Sequence, residues 1–254
     1  MEVVAAREGA ERTSGKAHAN EILGVREENC MKIVDLSMAM EPHMRWPVDV
    51  AVKGDIAAGD QFRVSRLSTT CHGFTHVDAQ AHFIAGAPTI EATPLEKVVG
   101  RCRILDLRDV QANEEIGAAR LAAADPGGAA GEILLLSSGW DRQRDYTTRE
   151  FWTDAPYLNR EAAEWLKAQE PSAIAFDFPQ DYSIRLLLDG VMAPTEEHVT
   201  HDVCLRAGIT LIEYLVNTSG LSGPYCLLSA APLKLPNADG SPARVYAIEG
   251  LQGL

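Results

Sequence analysis

The sequence predicts an α/β fold, a single domain built on a mixed β-sheet. Short apolar runs recur from Met31 onward, and stretches with helical character lie between some of them. The chain shows neither internal repeats nor low-complexity tracts, and 254 residues are enough to bury a substantial core. We therefore expect strands and helices to alternate within one domain, with both antiparallel pairs and βαβ units.

The expected strands are the apolar runs. They cover residues 33–36, 62–67, 102–107, 132–136, 173–178, 209–216, 225–229 and 244–248. The segment Asn237-Ala-Asp-Gly240 has the composition of a turn and is expected between two strands.

Helices are expected over residues 113–124, 159–169 and 195–207. Asn159 precedes an amphipathic run and is a suitable N-cap. In the third helix Thr195 suits the N-cap, and Gly208 suits the position that follows the C-terminus.

Residues 1–30 differ in composition from the rest. They are polar, rich in alanine and mixed in charge, and they lack the apolar stretch of a secretory signal. We expect them to form a flexible or subunit-wrapping extension in front of a domain that covers residues 31–254.

Composition excludes several classes of function. The net charge of −13 opposes binding to nucleic acid or to an anionic membrane, and no apolar run approaches the roughly 20 residues of a membrane span. The five cysteines are odd in number and form no Cys-x-x-Cys pair, which indicates a reducing, cytoplasmic location. A small-molecule partner is the expectation that remains.

Three histidines and an aspartate fall within eleven residues: His72, His76, Asp78 and His82. Imidazole and carboxylate together are typical ligands of Zn²⁺ and Mn²⁺. A helix cannot direct all of them at one ion, and a straight strand would spread them over roughly 33 Å. A metal centre therefore requires an extended segment 76–78 with bends at Gly73 and at residues 79–81. The alternative is a polar strand face with solvated histidines.

A second candidate cluster lies downstream, where Glu213 follows His201 by twelve residues. Glu213 falls inside an apolar run, and a carboxylate there is costly unless it is paired or binds a metal. A buried Glu–Arg pair is the alternative explanation. His198 is one helical turn from His201 and is the competing ligand candidate.

The pattern His-x3-His-x-Asp-x3-His, with His-x11-Glu far downstream, resembles the metal-dependent cyclase family. Bacterial-type kynurenine formamidases and isatin hydrolases belong to that family. The resemblance covers about residues 31–254 and includes other matches along the chain. These are Met31–Ser37, Trp46-Pro47, Ser138–Asp141, Phe176-Asp177 and Asp239–Arg244.

The resemblance implies a swivelling β/β/α fold, one or two divalent ions per subunit, and a homodimer or homotetramer. Carried over by position, the metal ligands are His72, His76, Asp78, His201 and Glu213, although the last two support the centre without ligating in some members. His82 takes the position of the catalytic acid/base.

Three departures from the family lie beside the implied ligands. Phe74 stands where relatives usually have glycine, Gln80 where they usually have proline, and Gln180 where a serine is common. These changes bear on the substrate more than on the metal, and they argue against a plain kynurenine formamidase.

The expected reaction is metal-assisted hydrolysis of an amide C–N bond. His82 takes a proton from the attacking water and passes it to the departing nitrogen. Five aromatic residues near the motifs are candidates to line a pocket for a flat substrate: Trp46, Phe74, Phe83, Trp140 and Phe178. Such a substrate is a cyclic aryl lactam such as isatin, slightly favoured by the departures, or an aryl formamide.

Two other classes of function stay open. A lyase or cyclase would use the same ion to stabilise an enolate, and a silent protein would bind metal or ligand without catalysis. The presence of His82 together with all five ligand candidates favours the hydrolase.

Overall fold

The computed structural model describes residues 31–251, so the extension expected over residues 1–30 lies outside the described residues. The strands are β1 (Lys32–Asp35), β2 (Val48–Gly54), β3 (Val64–Thr69), β4 (His76–Asp78), β5 (Val99–Asp106), β6 (Glu115–Ile116), β7 (Ile133–Ser137), β8 (Tyr157–Leu158), β9 (Ala173–Phe176), β10 (Thr210–Glu213), β11 (Tyr225–Ser229), β12 (Gly240–Pro242) and β13 (Tyr246–Glu249). The α-helices are α1 (Ala118–Ala124), α2 (Trp140–Gln143), α3 (Glu150–Thr153) and α4 (Arg160–Ala168).

Nine strands form one mixed sheet in the order β1-β13-β11-β5-β7-β9-β10-β4-β12. The four strands at its centre, β5, β7, β9 and β10, run parallel. The other pairs in the sheet are antiparallel. Helices α1 and α4 lie in the crossover connections between parallel strands, as βαβ geometry requires. The mixed-sheet α/β fold expected from the sequence is confirmed.

Both faces of the sheet are covered by apolar clusters. Along β7 the side chains of Leu134 and Leu136 enter one cluster, and those of Ile133 and Leu135 enter the other. Alternate residues of a strand point to opposite faces, so β7 is buried on both sides and its sequence is uninterruptedly apolar. Within the described residues, no helix is long and apolar enough to cross a membrane.

Each of the eight expected strands is present, with ends displaced by a few residues. Helix α4 also agrees with expectation, and the Asn159 side chain accepts a hydrogen bond from the Ala162 N–H as its N-cap. The strand expected over residues 62–67 is β3, but the sequence predicted neither β2 nor the separate hairpin that the two strands form. Its exposed strands show a mixture of polar and apolar residues rather than a buried run.

Two helix predictions need correction. The segment expected to start a helix at Asn113 instead forms β6, which pairs with β8, and α1 begins only after Gly117. The helix expected over residues 195–207 consists of a 3₁₀ turn at Thr195–Glu197, a break at His198, and a π-helical turn at His201–Leu205. Gly208 follows it with φ +85°, the left-handed conformation expected at that position.

Candidate metal centre

Two neighbouring strands bring the central ligand candidates together. His76 and Asp78 occupy alternate positions of β4, and in the antiparallel β4–β10 pair Glu213 lies directly opposite His76. The chain bends on both sides of β4, with a turn before it and a 3₁₀ turn at Gln80–His82 after it. The extended segment with flanking bends that the sequence required is therefore confirmed.

The backbone before β4 orients His76. Phe74 has φ +58°, a left-handed conformation that glycine adopts without strain, and the relatives' usual glycine fits this position. The carbonyl oxygen of Phe74 lies 2.8 Å from His76 Nδ1 and fixes the ring. His76 Nε2 is then 3.2 Å from Asp78 Oδ1 and 3.7 Å from Glu213 Oε2.

His72 reaches the same carboxylate from the turn before β4. Its Nδ1 lies 2.7 Å from Asp78 Oδ1, and its Nε2 lies 3.0 Å from Asp239 Oδ2. Gly240 permits this approach, because a Cβ atom there would lie 2.6 Å from His72 Cε1. The Asp239-Gly240 segment therefore forms a wall of the centre.

His201 completes the group from the π-helical turn. Its Nε2 lies 3.3 Å from Glu213 Oε1 and 3.6 Å from Asp78 Oδ2, and its Nδ1 lies 2.8 Å from Asp181 Oδ2. The competing candidate, His198, instead lies 2.9 Å from the hydroxyl of Ser183. His201 is thus the histidine of this segment that meets the two carboxylates.

The group fits a divalent cation. His76, Asp78, His201 and Glu213 are at most 6% exposed. His76 Nε2 and Asp78 Oδ2 are buried without a hydrogen-bond partner, although buried polar atoms normally have one. Two overlapping sets place their ligand atoms within 4.8 Å of one another: His72, Asp78 and His82, and His76, Asp78 and Glu213. Imidazole nitrogen and carboxylate oxygen are the donors that Zn²⁺ and Mn²⁺ accept.

The charges in the group depend on one another. Burial raises the pKa of Asp78, but hydrogen bonds with His201, His72 and His76 outweigh it and hold that pKa well below its usual value. Burial lowers the pKa of His72, yet the hydrogen bonds with Asp78 and Asp239 raise it to about 9. Without a cation, the protein balances its carboxylates by protons on imidazoles, and a bound cation must displace those protons.

His82 is placed differently from the ligand candidates. Its ring stacks on that of His72 with 3.8 Å between centroids, and its side chain is 30% exposed. Burial is the largest influence on its pKa and, together with nearby His72 and His201, lowers it to about 4. His82 is therefore neutral at pH 7 and able to accept a proton.

A cavity of about 340 Å³ opens over the centre. Trp46 and Phe83 line it, and Phe74 packs beneath Trp46 with 5.1 Å between ring centroids. Phe74 does not line it, and neither do Trp140 and Phe178, which corrects the expectation that these three residues line the substrate pocket. Trp140 and Phe178 are fully buried in the core, where the Trp140 indole N–H donates to the Phe151 carbonyl.

Several residues of the site were not predicted as functional residues from the sequence. Asp181 holds His201, and Gln180 donates a hydrogen bond to Glu213 Oε1. Arg45 and Tyr214 line the cavity beside the ligands. Only the Gln180 position was indicated in advance, as a departure from the family.

The remaining family motifs form a structural contact outside the cavity. The Asp177 carboxylate accepts hydrogen bonds from the Ser138 and Gly139 N–H groups and from the hydroxyls of Ser138 and Thr218. These donors join the ends of β7 and β9 to the loop after β10.

Known proteins resemble this chain in sequence and in fold. A kynurenine formamidase of Bordetella petrii is 30% identical over 194 residues, which cover 73% of this chain and 80% of that protein. A solved structure described as a potential metal-dependent hydrolase with cyclase activity is 25% identical, with a TM-score of 0.63 over 86% of this chain and 98% of that one. Isatin hydrolase A from Labrenzia aggregata shares the fold, with 20% identity and a TM-score of 0.71 over 93% and 98% of the two chains.

A family model described as "Putative cyclase" matches residues 34–180, more than half of the chain. The matched region contains β4 and the His82 turn, and the rest of the centre comes from β10 and the π-helical turn outside it. The chain belongs to the cyclase family.

Proposed function

We propose that this chain, a metal-dependent amide hydrolase of the cyclase family, cleaves the C–N bond of an aryl amide, either an aryl formamide or a cyclic aryl lactam. The observation that carries the proposal is the convergence of His76, Asp78 and Glu213, with buried ligand atoms that lack partners, beneath a cavity with aromatic walls.

The ligands proposed for the cation are His72, His76, Asp78, His201 and Glu213. Zn²⁺ and Mn²⁺ both suit this donor set, and we propose that it holds one or two ions per subunit. Such an ion supplies a Lewis acid for the amide carbonyl and makes a nearby water more acidic.

The protein's own contribution to the chemistry is proton transfer. His82 is neutral, stands beside the ligands and retains access to solvent. It accepts the proton of the attacking water and returns it to the amide nitrogen as the C–N bond breaks. Trp46 and Phe83 hold the aromatic ring of the substrate in the cavity, with the amide directed towards β4.

The direct test is an assay of the protein reconstituted with Zn²⁺ or Mn²⁺ against formanilide and isatin. We expect hydrolysis of at least one of them, with loss of activity on chelation and recovery on addition of metal. A protein that binds metal but hydrolyses neither compound nor any related amide would contradict the proposal. A product without ¹⁸O from labelled water would instead indicate a lyase.

The role of His82 is tested by His82→Ala. Loss of general acid/base catalysis should lower kcat by about 10²–10⁴-fold, while the metal content stays that of the wild type. Loss of metal together with activity would make His82 a ligand and refute the assignment.

We also propose that the chain forms a homo-oligomer through the β2–β3 hairpin. Val50, Val52, Val64 and Leu67 of this hairpin are each at least 45% exposed, an apolar surface that suits a second copy of the same chain. Light scattering coupled to size exclusion should give a dimer or tetramer, and Val52→Lys with Leu67→Lys should give a monomer. A monomeric wild-type protein would refute this.

A cytoplasmic location is proposed from the cysteines. The five cysteines of the chain are odd in number and include no Cys-x-x-Cys pair. Such cysteine usage is typical of a reducing compartment.

A further inference from the structure

Arg45 is a cationic side chain in the cavity that lacks an anionic partner. It lies in the loop before β2 and lines the cavity together with His76 and Glu213. Its Nη1 atom is buried and has no hydrogen-bond partner. Arg45 is half-buried, and a guanidinium nitrogen that loses water without gaining an acceptor carries a free-energy cost.

Two other arginines of the described residues have acceptors for Nη1, although their own Nε atoms lack one. Arg103 is almost wholly buried and pairs with Asp125 at 3.1 Å. Arg185 donates to the side chain of Asn113 and to the carbonyl oxygens of Thr153 and Ala155. Arg45 has neither kind of acceptor for Nη1.

Contacts within its loop position Arg45. The Arg45 backbone N–H donates to His43 Nδ1 at 3.1 Å, and His43 stacks on Trp46 with 4.7 Å between centroids. The guanidinium carbon lies 4.5 Å from the ring centroid of Trp152. The indole Nε1 of Trp152 is also buried without an acceptor. Two N–H donors without acceptors, Arg45 Nη1 and Trp152 Nε1, therefore lie close to the positive charge of Arg45.

The charge of Arg45 also differs from its surroundings. It is the one lysine or arginine among the described residues that line this cavity, in a chain of net charge −13. An acidic protein repels anions over most of its surface. Arg45 is therefore the one permanently charged basic side chain that this cavity offers to an anionic group, beside histidines whose charge changes with proton and metal binding.

We infer that Arg45 binds a carboxylate of the substrate, so that the cavity selects aryl amides that carry an acidic group. The planar guanidinium matches a carboxylate in bidentate geometry. The inference rests on the proposed function and narrows its substrate class: a neutral lactam would leave Arg45 unpaired, whereas an acidic aryl formamide would not.

The position of Arg45 separates this carboxylate from the reacting amide. Arg45 and His76 both line the cavity, together with the rings of Trp46 and Tyr214. The Tyr214 ring lies 5.3 Å from that of Trp46 and 5.4 Å from that of His76, between centroids. A substrate ring packed on Trp46 and Tyr214 would place its amide at the proposed metal ligands and its carboxylate at Arg45.

The test compares acids with their methyl esters. We would measure kcat/KM of the metal-loaded enzyme for meta- and para-formamidobenzoate and for the two corresponding esters. A charge-assisted contact predicts that the better acid exceeds its ester by about 10- to 100-fold. In Arg45→Met the acid-to-ester ratio should fall to about one, and Arg45→Lys should give an intermediate ratio, since it retains the charge without the planar fork.

Arg144→Met is the matched control. Arg144 also lies over a tryptophan, at 5.5 Å from the Trp140 centroid, but outside the cavity. Its acid-to-ester ratio should equal that of the wild type. Equal rates for acid and ester in the wild type, or a ratio unchanged in both Arg45 variants, would overturn the inference and leave the proposed hydrolase intact.

Binding of benzoate gives an answer that does not depend on turnover. By calorimetry, the metal-loaded wild type should bind benzoate at least about 10-fold more tightly than Arg45→Met does. Equal affinities would show that the carboxylate binds elsewhere, including at the metal, and would overturn the inference. This result stands even if no formamide is hydrolysed, in which case the proposed function alone fails.

Discussion

Asp78 and Asp177 are both buried carboxylates at the ends of sheet strands, yet their surroundings are opposite. Asp177 accepts hydrogen bonds from the Ser138 and Gly139 N–H groups and from two hydroxyls. Asp78 is surrounded by imidazoles, and its Oδ2 has no hydrogen-bond partner. The comparison teaches that burial alone does not identify a functional carboxylate. The chemistry of the neighbouring groups separates a structural contact from a ligand.

The largest expected effect is that of Asp78→Asn. Loss of the carboxylate that lies beside His72, His76 and His201 should remove bound metal and lower kcat/KM by at least about 10³-fold, because the ion contributes several kcal/mol to the transition state. Metal content by elemental analysis and far-UV circular dichroism would check that the fold survives.

Asp177→Asn provides the control and should give the reverse result. The amide has one acceptor oxygen in place of two, so some donors lose their partner and the free energy of unfolding falls by about 1–3 kcal/mol. Metal content should stay that of the wild type. Loss of metal in Asp177→Asn, or retention of metal by Asp78→Asn, would contradict the assignment of Asp78 to metal binding and of Asp177 to the stability of the fold.

The second prediction concerns pH. Burial raises the pKa of Asp177 to about 6 from an ordinary 3.8, in spite of the hydrogen bonds that lower it. The folded state thus binds this proton more tightly than the unfolded state does. The stabilisation is complete below pH 3.8 and is lost as the pH rises through about 6. It amounts to about 3 kcal/mol.

The pH effect is measured as a difference between two proteins. Unfolding of metal-free wild type and of Asp177→Asn between about pH 4 and pH 7.5 should show the wild-type advantage decreasing by most of that amount. Titrations of the other groups cancel in this difference. A difference that is constant with pH would mean that Asp177 is ionised throughout.

Metal binding should stabilise the folded protein only in variants that retain the Asp78 carboxylate. A ligand that binds the folded state alone contributes about 2.7 kcal/mol when its concentration is one hundred times Kd. Tm of the wild type and of Asp177→Asn should therefore rise by roughly 5–10 °C on addition of metal. Tm of Asp78→Asn should not change, and an equal rise in all three proteins would place the ion elsewhere.

Much of the fold and the convergence of the central ligand candidates could be predicted from the sequence. The central strands β7 and β9 are almost wholly apolar because both sheet faces are covered there, and this leaves a local signal. The bend around His76 and Asp78 follows from spacing alone, since a straight segment cannot direct its side chains at one ion. Strands and the bend around His76 could thus be predicted because each depends on residues that are close together in the sequence.

The supporting residues could not be predicted in this way. Asp181 lies twenty residues from the His201 that it holds, and Arg45 precedes the ligands by a whole hairpin. Their roles arise from packing between distant segments. Trp140 was predicted to line the cavity because it lies in a family motif. Its side chain is instead buried in the core. The neighbouring Ser138 hydroxyl and Gly139 N–H donate hydrogen bonds to the Asp177 carboxylate.

The smallest expected effect tests one donor of the structural carboxylate. In Thr218→Val the hydroxyl that donates to Asp177 is replaced by a methyl group of similar shape, while the other donors remain. The free energy of unfolding should fall by about 1 kcal/mol, and by more at pH 7.5 than at pH 5, because a hydrogen bond to an ionised carboxylate is stronger than one to the protonated acid. Denaturant unfolding at the two pH values measures this, with Thr148→Val, at an exposed hydroxyl that donates only to the Asp145 carbonyl, as the control. If Thr218→Val lowered the metal content, Asp177 and Asp78 would not be independent of each other. Asp177 could then no longer be described as a purely structural carboxylate and Asp78 as the one that binds the ion.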